Sequence, residues 1–265
     1  MKLYLCFPEG KAKALTMSYD DGKWADERLV ELFNRHGIRG TFNLNYGLME
    51  RPERIDKDRI RQLYEGHEVA THTMTHPTIA RCPLTETAKE VLEDRIGLES
   101  LVGYPVRGHA YPNGSYNEEV KTLLGSLGIA YGRTAMWESG SMELPTDPME
   151  WNGTCHHNCH LLDYAGTFAE FQKKQYLKCL YVWGHSYEFD RDDNWGLMEE
   201  FCTYMGGRED IWYATNIEII DYMEAGRRLQ YGAAGDFVYN PSAQTVWISV
   251  DDVPLAVAGG QTVRF

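Results

Sequence analysis

A chain of 265 residues can bury a large core, and its 26 basic against 39 acidic residues leave a formal charge of −13. Binding a phosphate backbone takes clustered Lys and Arg, and no such run is present, so nucleic acid is excluded as a partner. Residues 1–8 hold too few apolar side chains for a signal-peptide core or a membrane span, and six cysteines are spaced too irregularly for a disulfide scaffold. The expectation is therefore a soluble, cytoplasmic chain with reduced thiols and no membrane partner.

An apolar run from Ala14 predicts a strand that stops at Tyr19-Asp20-Asp21-Gly22. Neighbouring side chains on an extended chain point to opposite faces, so Asp20 and Asp21 are set for different tasks, and Gly22 allows a sharp exit. A helix follows over residues 24–36, with Leu29, Val30, Leu32 and Phe33 at helical spacing and Gly37 after its end. Residues 39–46 read as a strand, 56–64 as a helix, and 67–73 as a third strand. The rhythm continues with a helix over 85–102 capped by Thr85, a strand over 106–111, a helix over 117–127 and a strand over 129–134. Strands alternating with helices imply a parallel sheet, and about seven such units predict an α/β fold, a distorted (β/α) barrel.

Over residues 137–160 the periodicity lapses at Pro145, Pro148 and Gly153, and irregular stretches of that length in compact domains tend to be functional. A helix over 166–178, a strand over 179–183 running into Gly184-His185, a helix over 195–205, a strand over 211–214 and a helix over 216–230 complete the barrel. Beyond Gly232, short β-type runs at 237–239, 245–250 and 254–257 are separated by turn residues. The predicted domains are a catalytic barrel over 1–232 and an antiparallel β appendage over 233–265, which must dock on the barrel or on a second copy in a homo-oligomer.

His72 and His76, four residues apart after the third strand, share a face if the chain turns helical there. Barrel sites gather residues from the C-terminal ends of different strands, which brings Asp21 to the same place. Asp plus two His with open positions suits a Lewis-acid divalent ion.

These residues carry a resemblance. Tyr19-Asp20-Asp21-Gly22 with His72-x-x-x-His76 resembles the first two motifs of the polysaccharide deacetylase family, carbohydrate esterases that include chitin and peptidoglycan deacetylases. The family's third motif, an arginine, a proline and a glycine, is partly matched by residues 107–114, where Ala110 stands at the arginine's usual place and Arg107 is the candidate to reach back instead. Its fourth, an acidic pair ending in tryptophan, resembles Asp147-Pro148-Met149-Glu150-Trp151, and its fifth, a histidine after an apolar strand, resembles Leu180 to His185.

The resemblance implies removal of an acetyl group from an N-acetylated carbohydrate by amide hydrolysis. Asp21, His72 and His76 would hold one divalent ion, most simply zinc; Asp20 would be the base and His185 the acid, held charged by Asp147 or Glu150. The Asn113 N–H would bind the oxyanion, and Tyr111, Pro112, Trp151, His157 and Trp183 would line the substrate cleft. Two alternatives stand beside this reading: a hydrolase of a small cyclic amide, imide or formamide on the same barrel, and a non-catalytic carbohydrate-binding protein. The cluster Cys155-His156-His157-Asn158-Cys159-His160 matches no common zinc-finger spacing, and the expectation is that one or two of its members line the cleft.

Overall fold

The computed structural model describes residues 2–265. The strands are β1 (Leu3–Cys6), β2 (Lys13–Asp20), β3 (Gly40–Leu44), β4 (Glu68–Thr71), β5 (Gly108–Ala110), β6 (Tyr131–Arg133), β7 (Cys155–His156), β8 (Lys178–Gly184) and β9 (Ile211–Tyr213). The helices between them are α1 (Ala25–His36), α2 (Ile60–Leu63), α3 (Leu84–Val102), α4 (Glu118–Ser126), α5 (Leu161–Glu170), α6 (Glu188–Arg191), α7 (Trp195–Met205) and α8 (Asn216–Arg227). The tail adds β10 (Gln230–Tyr231), β11 (Phe237–Tyr239), β12 (Val246–Val250), β13 (Val253–Val257) and β14 (Thr262–Arg264).

Helix α1 shows why such a sequence folds locally as it does. Asp26 and Glu27 sit in its first turn and Arg35 and His36 in its last, complementing the helix dipole, while Gly37 closes it at φ 66°. Its face of Leu29, Val30, Leu32 and Phe33 is buried against the sheet.

The parallel sheet runs β6-β5-β4-β3-β2-β8-β7, with β9 pairing the start of β2. β2 is the central strand: β8 flanks it along nearly its whole length, and β9 and then β3 share its other edge, so every residue of it is buried. A strand covered on both faces and both edges reads as a near-continuous apolar run, which is why it was legible. The edges β6 and β7 are bridged by irregular chain, with Trp151 donating its N–H to Gly132 O at 2.9 Å, and the result is a distorted barrel rather than a ladder closed all round.

The tail strands build two small antiparallel sheets, β1-β12-β13 and β10-β11-β14. Val238, Val246, Ile248 and Val257 pack with Phe7, Ile219 and Tyr222 of the body in one apolar cluster, and each such side chain buried contributes about 1.5–3 kcal/mol. Tyr222 ties the two together, donating to Cys6 O at 2.6 Å and accepting from the Trp247 N–H at 2.8 Å.

Three local expectations need correction. The helix expected over 166–178 lies earlier, at α5, because Leu161, Ala165, Phe168 and Ala169 form its inward face. The helix expected over 56–64 is a single 3₁₀ turn followed by the four-residue α2. The stretch expected to be irregular over 137–160 contains β7, which supplies His156 to the sheet edge.

Candidate active site

The C-terminal ends of the parallel strands carry the site. Asp20, last in β2, is buried beside its register partner Asn43 of β3, whose amide donates to Asp20 Oδ1 at 2.8 Å and to Ser18 Oγ at 2.9 Å. The fully buried Arg133, last in β6, donates through Nη2 to both Asp20 carboxylate oxygens, through Nη1 to Thr134 O at 3.1 Å, and lies over the Trp183 indole. Burial works to raise the Asp20 pKa, but Arg133, then His72 and His185, outweigh it and hold the carboxyl well below the usual carboxylate range.

Arg107 is not this cation. It makes a two-pronged pair with Asp221 of α8, both contacts at 2.9 Å. The register explains the exchange: Ala110, at the place of the motif arginine, lies opposite Arg133 on the neighbouring strand, so the guanidinium comes in at the same level from one strand over. The signal was an arginine closing a strand predicted for a barrel, at the end where catalytic residues gather.

Asp21 leaves β2 in the left-handed region at φ 84°, with Arg54 Nη1 3.2 Å from its Oδ1. His72 follows β4; its N–H donates to Leu44 O at 2.9 Å, and its carbonyl accepts from Asn45 Nδ2 at 2.6 Å. The His72 Nδ1 donates to Ala110 O at 2.7 Å, which fixes the tautomer and leaves the Nε2 lone pair facing the site. Burial lowers the His72 pKa to about 4, so the ring is neutral and able to ligate.

His76 does not reach the same place by a helical turn, as expected. The chain passes through a loop with Thr73 at φ 66° and His76 at φ 62°, pinned by the His76 N–H donating to Thr73 Oγ1 at 3.1 Å. One ligand atom each from Asp21, His72 and His76 then falls within 4.8 Å of the others, a donor set that fits a divalent ion. Asp21, His76 and Asn113 all hold left-handed backbone, which costs free energy at non-glycine residues and clusters at functional sites.

His185, after β8, has Nε2 3.9 Å from Asp20 Oδ2 and Nδ1 3.4 Å from Glu188 Oε2, and its N–H donates to the same Glu188 oxygen at 3.3 Å. Burial disfavours the charged ring, but Glu188 and Asp20 outweigh it and raise the His185 pKa. The carboxylate expected to hold this histidine was misassigned: Asp147 and Glu150 are bound to Lys121 Nζ at 2.9 and 3.1 Å, and Glu150 also accepts from Tyr116 OH at 3.0 Å. Glu188 was readable as an acid three residues after the histidine, reaching back to a helix-start N–H.

Most of the expected cleft lining is wall. Trp151 is buried between Tyr131 and Tyr181, Tyr111 donates its hydroxyl to Met149 O at 2.7 Å, Pro112 is buried, His157 lies between Tyr19 and Phe189, and Trp183 donates Nε1 to Met136 O at 2.9 Å. The aromatic that is open is Trp137, 53% exposed and stacked on His156. Asn113 stands exposed at the end of β5, with its amide 3.3 Å from Thr78 Oγ1. Sequence reasoning also passed over Asn43, Asn45 and Arg54, which orient Asp20, His72 and Asp21.

Residues 8–132 match the family model described as polysaccharide deacetylase. The match spans just under half of the chain and supports the resemblance to the polysaccharide deacetylase family. A chitooligosaccharide deacetylase of Bradyrhizobium is 27% identical over 143 residues, 52% of this chain and 59% of that protein. The chain thus spans less than two thirds of the length of the curated relatives it matches. Among solved structures, a Mycobacterium smegmatis protein named as a polysaccharide deacetylase superposes with a TM-score of 0.64 at 16% identity, covering 84% of this chain and 94% of that one. The Puue allantoinase gives a TM-score of 0.61 at 14% identity over 81% of this chain and 91% of its own. These two likenesses are of fold.

Proposed function

We propose that the protein is a metal-dependent hydrolase that removes acetyl groups from an N-acetylated carbohydrate. The observation that carries this reading is a convergence: Asp20 Oδ2 stands 3.7 Å from His72 Nε2 and 3.9 Å from His185 Nε2. A carboxylate held ionised and a histidine whose charged form is favoured thus meet beside one candidate ligand set. A divalent ion, zinc in the simplest case, held by Asp21, His72 and His76 supplies a Lewis acid that polarises the acyl oxygen and acidifies water.

Asp20, fixed by Arg133 and Asn43, takes the proton of the water that attacks the acyl carbon. The backbone N–H of Asn113 is assigned to the developing oxyanion. His185 gives its Nε2 proton to the departing nitrogen as the C–N bond breaks, leaving acetate and a free amine. An acid of this kind serves an amine leaving group more than an alcohol, which favours N-acetyl over O-acetyl groups. The curated relatives named as chitooligosaccharide deacetylases support a sugar substrate.

The test is acetate release from N-acetylated chitooligosaccharides by zinc-loaded protein. Asp21→Ala, His72→Ala and His76→Ala should each lower metal content and acetate release together. Full metal occupancy in all three variants would overturn the ligand assignment. Turnover of a small cyclic amide with no acetate released from the sugar would overturn the substrate class.

A further inference from the structure

Four nitrogens crowd one oxygen behind the acid. Glu188 Oε2 lies 2.9 Å from His156 Nε2, 3.3 Å from the His185 N–H nitrogen, 3.4 Å from His185 Nδ1 and 3.5 Å from His157 Nε2, while the other carboxylate oxygen faces Arg191 Nη2 at 3.4 Å. We propose that His156 is a positioning residue for His185, acting through Glu188. The proposal rests on reading His185 as the acid of the reaction.

The hydrogen-bond direction is set by the backbone. The Asn158 N–H donates to His156 Nδ1 at 3.2 Å, so in the neutral ring the proton sits on Nε2, the nitrogen that lies 2.9 Å from Glu188 Oε2. His156 cannot turn away. It is 1% exposed, its N–H donates to Trp137 O at 2.7 Å, the Trp137 ring covers one face at 4.0 Å and 11°, and the Trp183 ring meets it edge-on at 4.8 Å. Glu188 is therefore flanked at both oxygens and keeps Oε2 3.4 Å from His185 Nδ1, an ion-pair approach rather than a formed hydrogen bond. A carboxylate on that side favours a proton on Nδ1 and leaves Nε2 on the side of Asp20. When the imidazolium gives its Nε2 proton to the departing nitrogen, the neutral ring left behind already has the correct tautomer, and Nε2 regains a proton from solvent.

His156, His157 and Glu188 could also be read as a second metal site, since their ligand atoms lie within 4.8 Å of one another. The direction of the His156 bond argues against it, because a nitrogen that carries a proton has no lone pair for a metal. His157 is neutral, its pKa lowered to about 3 by burial, and both its ring nitrogens lack hydrogen-bond partners among the described residues, so it packs against the carboxylate without orienting it. The charged and titratable groups around His185 are then Asp20 and Asp21 from the end of β2, Glu188 and Tyr187 at the start of α6, His156 and His157 from the β7 edge, and Arg133 through Asp20.

The experiment compares His156→Phe, His156→Gln, Glu188→Gln and His185→Ala in the full zinc-loaded chain. Two substrates are used: an N-acetylated chitooligosaccharide, and 4-nitrophenyl acetate, whose leaving group needs no proton. His156→Phe should lower kcat on the amide about 10- to 100-fold, a magnitude typical of lost outer hydrogen bonds, with KM little changed and the ester rate nearly spared. The basic limb of its kcat–pH profile should move to lower pH, because a loosened Glu188 supports the His185 cation less. His156→Gln, which can still donate to Glu188, should recover much of the loss. If His156→Phe keeps the parent's amide-to-ester ratio and pH profile while His185→Ala slows the amide selectively, the positioning role falls and the acid survives. If His185→Ala slows both substrates equally, the acid reading falls and takes this one with it. A second equivalent of zinc in the parent, lost from both His156→Phe and Glu188→Gln, would replace the positioning role with a metal site.

Discussion

Two buried carboxylates at opposite ends of the same sheet have opposite fates. Asp20 ends β2 and Glu68 begins β4, and both are nearly inaccessible to solvent. Glu68 accepts only from neutral donors, Thr41 Oγ1 at 2.9 Å, Tyr131 OH at 2.8 Å and the Ile217 N–H at 2.9 Å, and burial pushes its pKa up to about 7. Asp20 has the Arg133 guanidinium on both oxygens, and its pKa falls. Hydrogen bonds alone do not offset the desolvation of a carboxylate; a buried cation does. The difference divides labour, with Glu68 a fastener of β3, β6 and α8 whose charged form is disfavoured and Asp20 a charged group at the candidate site.

The comparison breaks most severely at Arg133. Arg133→Met leaves Asp20 buried without its cation, and chemical denaturation should show a loss of about 3–5 kcal/mol. Where the variant folds, the Asp20 pKa should rise and the acid limb of the activity profile should move to higher pH. An unchanged acid limb would mean that Asp20 is not the group titrating in it.

Glu68→Gln sharpens the other half. A carboxyl whose pKa is raised on folding stabilises fully below its unfolded value and loses that contribution as pH rises through its folded value. From its ordinary 4.5 to about 7, Glu68 should therefore cost stability at up to about 1.4 kcal/mol per pH unit. Glu68→Gln should flatten the stability curve over that window while leaving activity alone. A slope equal to the parent's would show that Glu68 is ionised in the fold.

The smallest effect is expected at Arg107. Its pair with Asp221 is more than a third exposed, so Arg107→Ala should cost under about 1 kcal/mol and leave the pH profile of activity in place. A shifted profile would return Arg107 to the site.

The contrast between Arg107 and Arg133 also shows what the sequence could reveal. Asp20, Asp21, His72, His76 and His185 were legible because each terminates an apolar run or sits at a short, fixed spacing from one that does. Arg133 was hidden because its role depends on lateral register: that it stands opposite Ala110 on the next strand is a property of the sheet. Glu188 left a signal in its spacing, an acid three residues after His185, but the turn that brings it back to the histidine is not disclosed by three residues of sequence. The aromatics misled for another reason, since Trp151 and Trp137 look equally able to face a ligand and only packing sends one into the core and the other to the surface. In the tail, β12 was readable from its alternation, but its partner β1, at the other end of the chain, was not. Long-range antiparallel pairing carries no local pattern.

The central claim is that Asp20 is a base beside a metal it does not bind. Asp20→Asn keeps the shape and the amide can still meet Asn43 and Arg133, so the zinc-loaded variant should hold as much metal as the parent. Its release of acetate from an N-acetylated chitooligosaccharide should fall by about two orders of magnitude or more, the usual cost of losing a general base. Near-parental acetate release at full metal content would contradict the account.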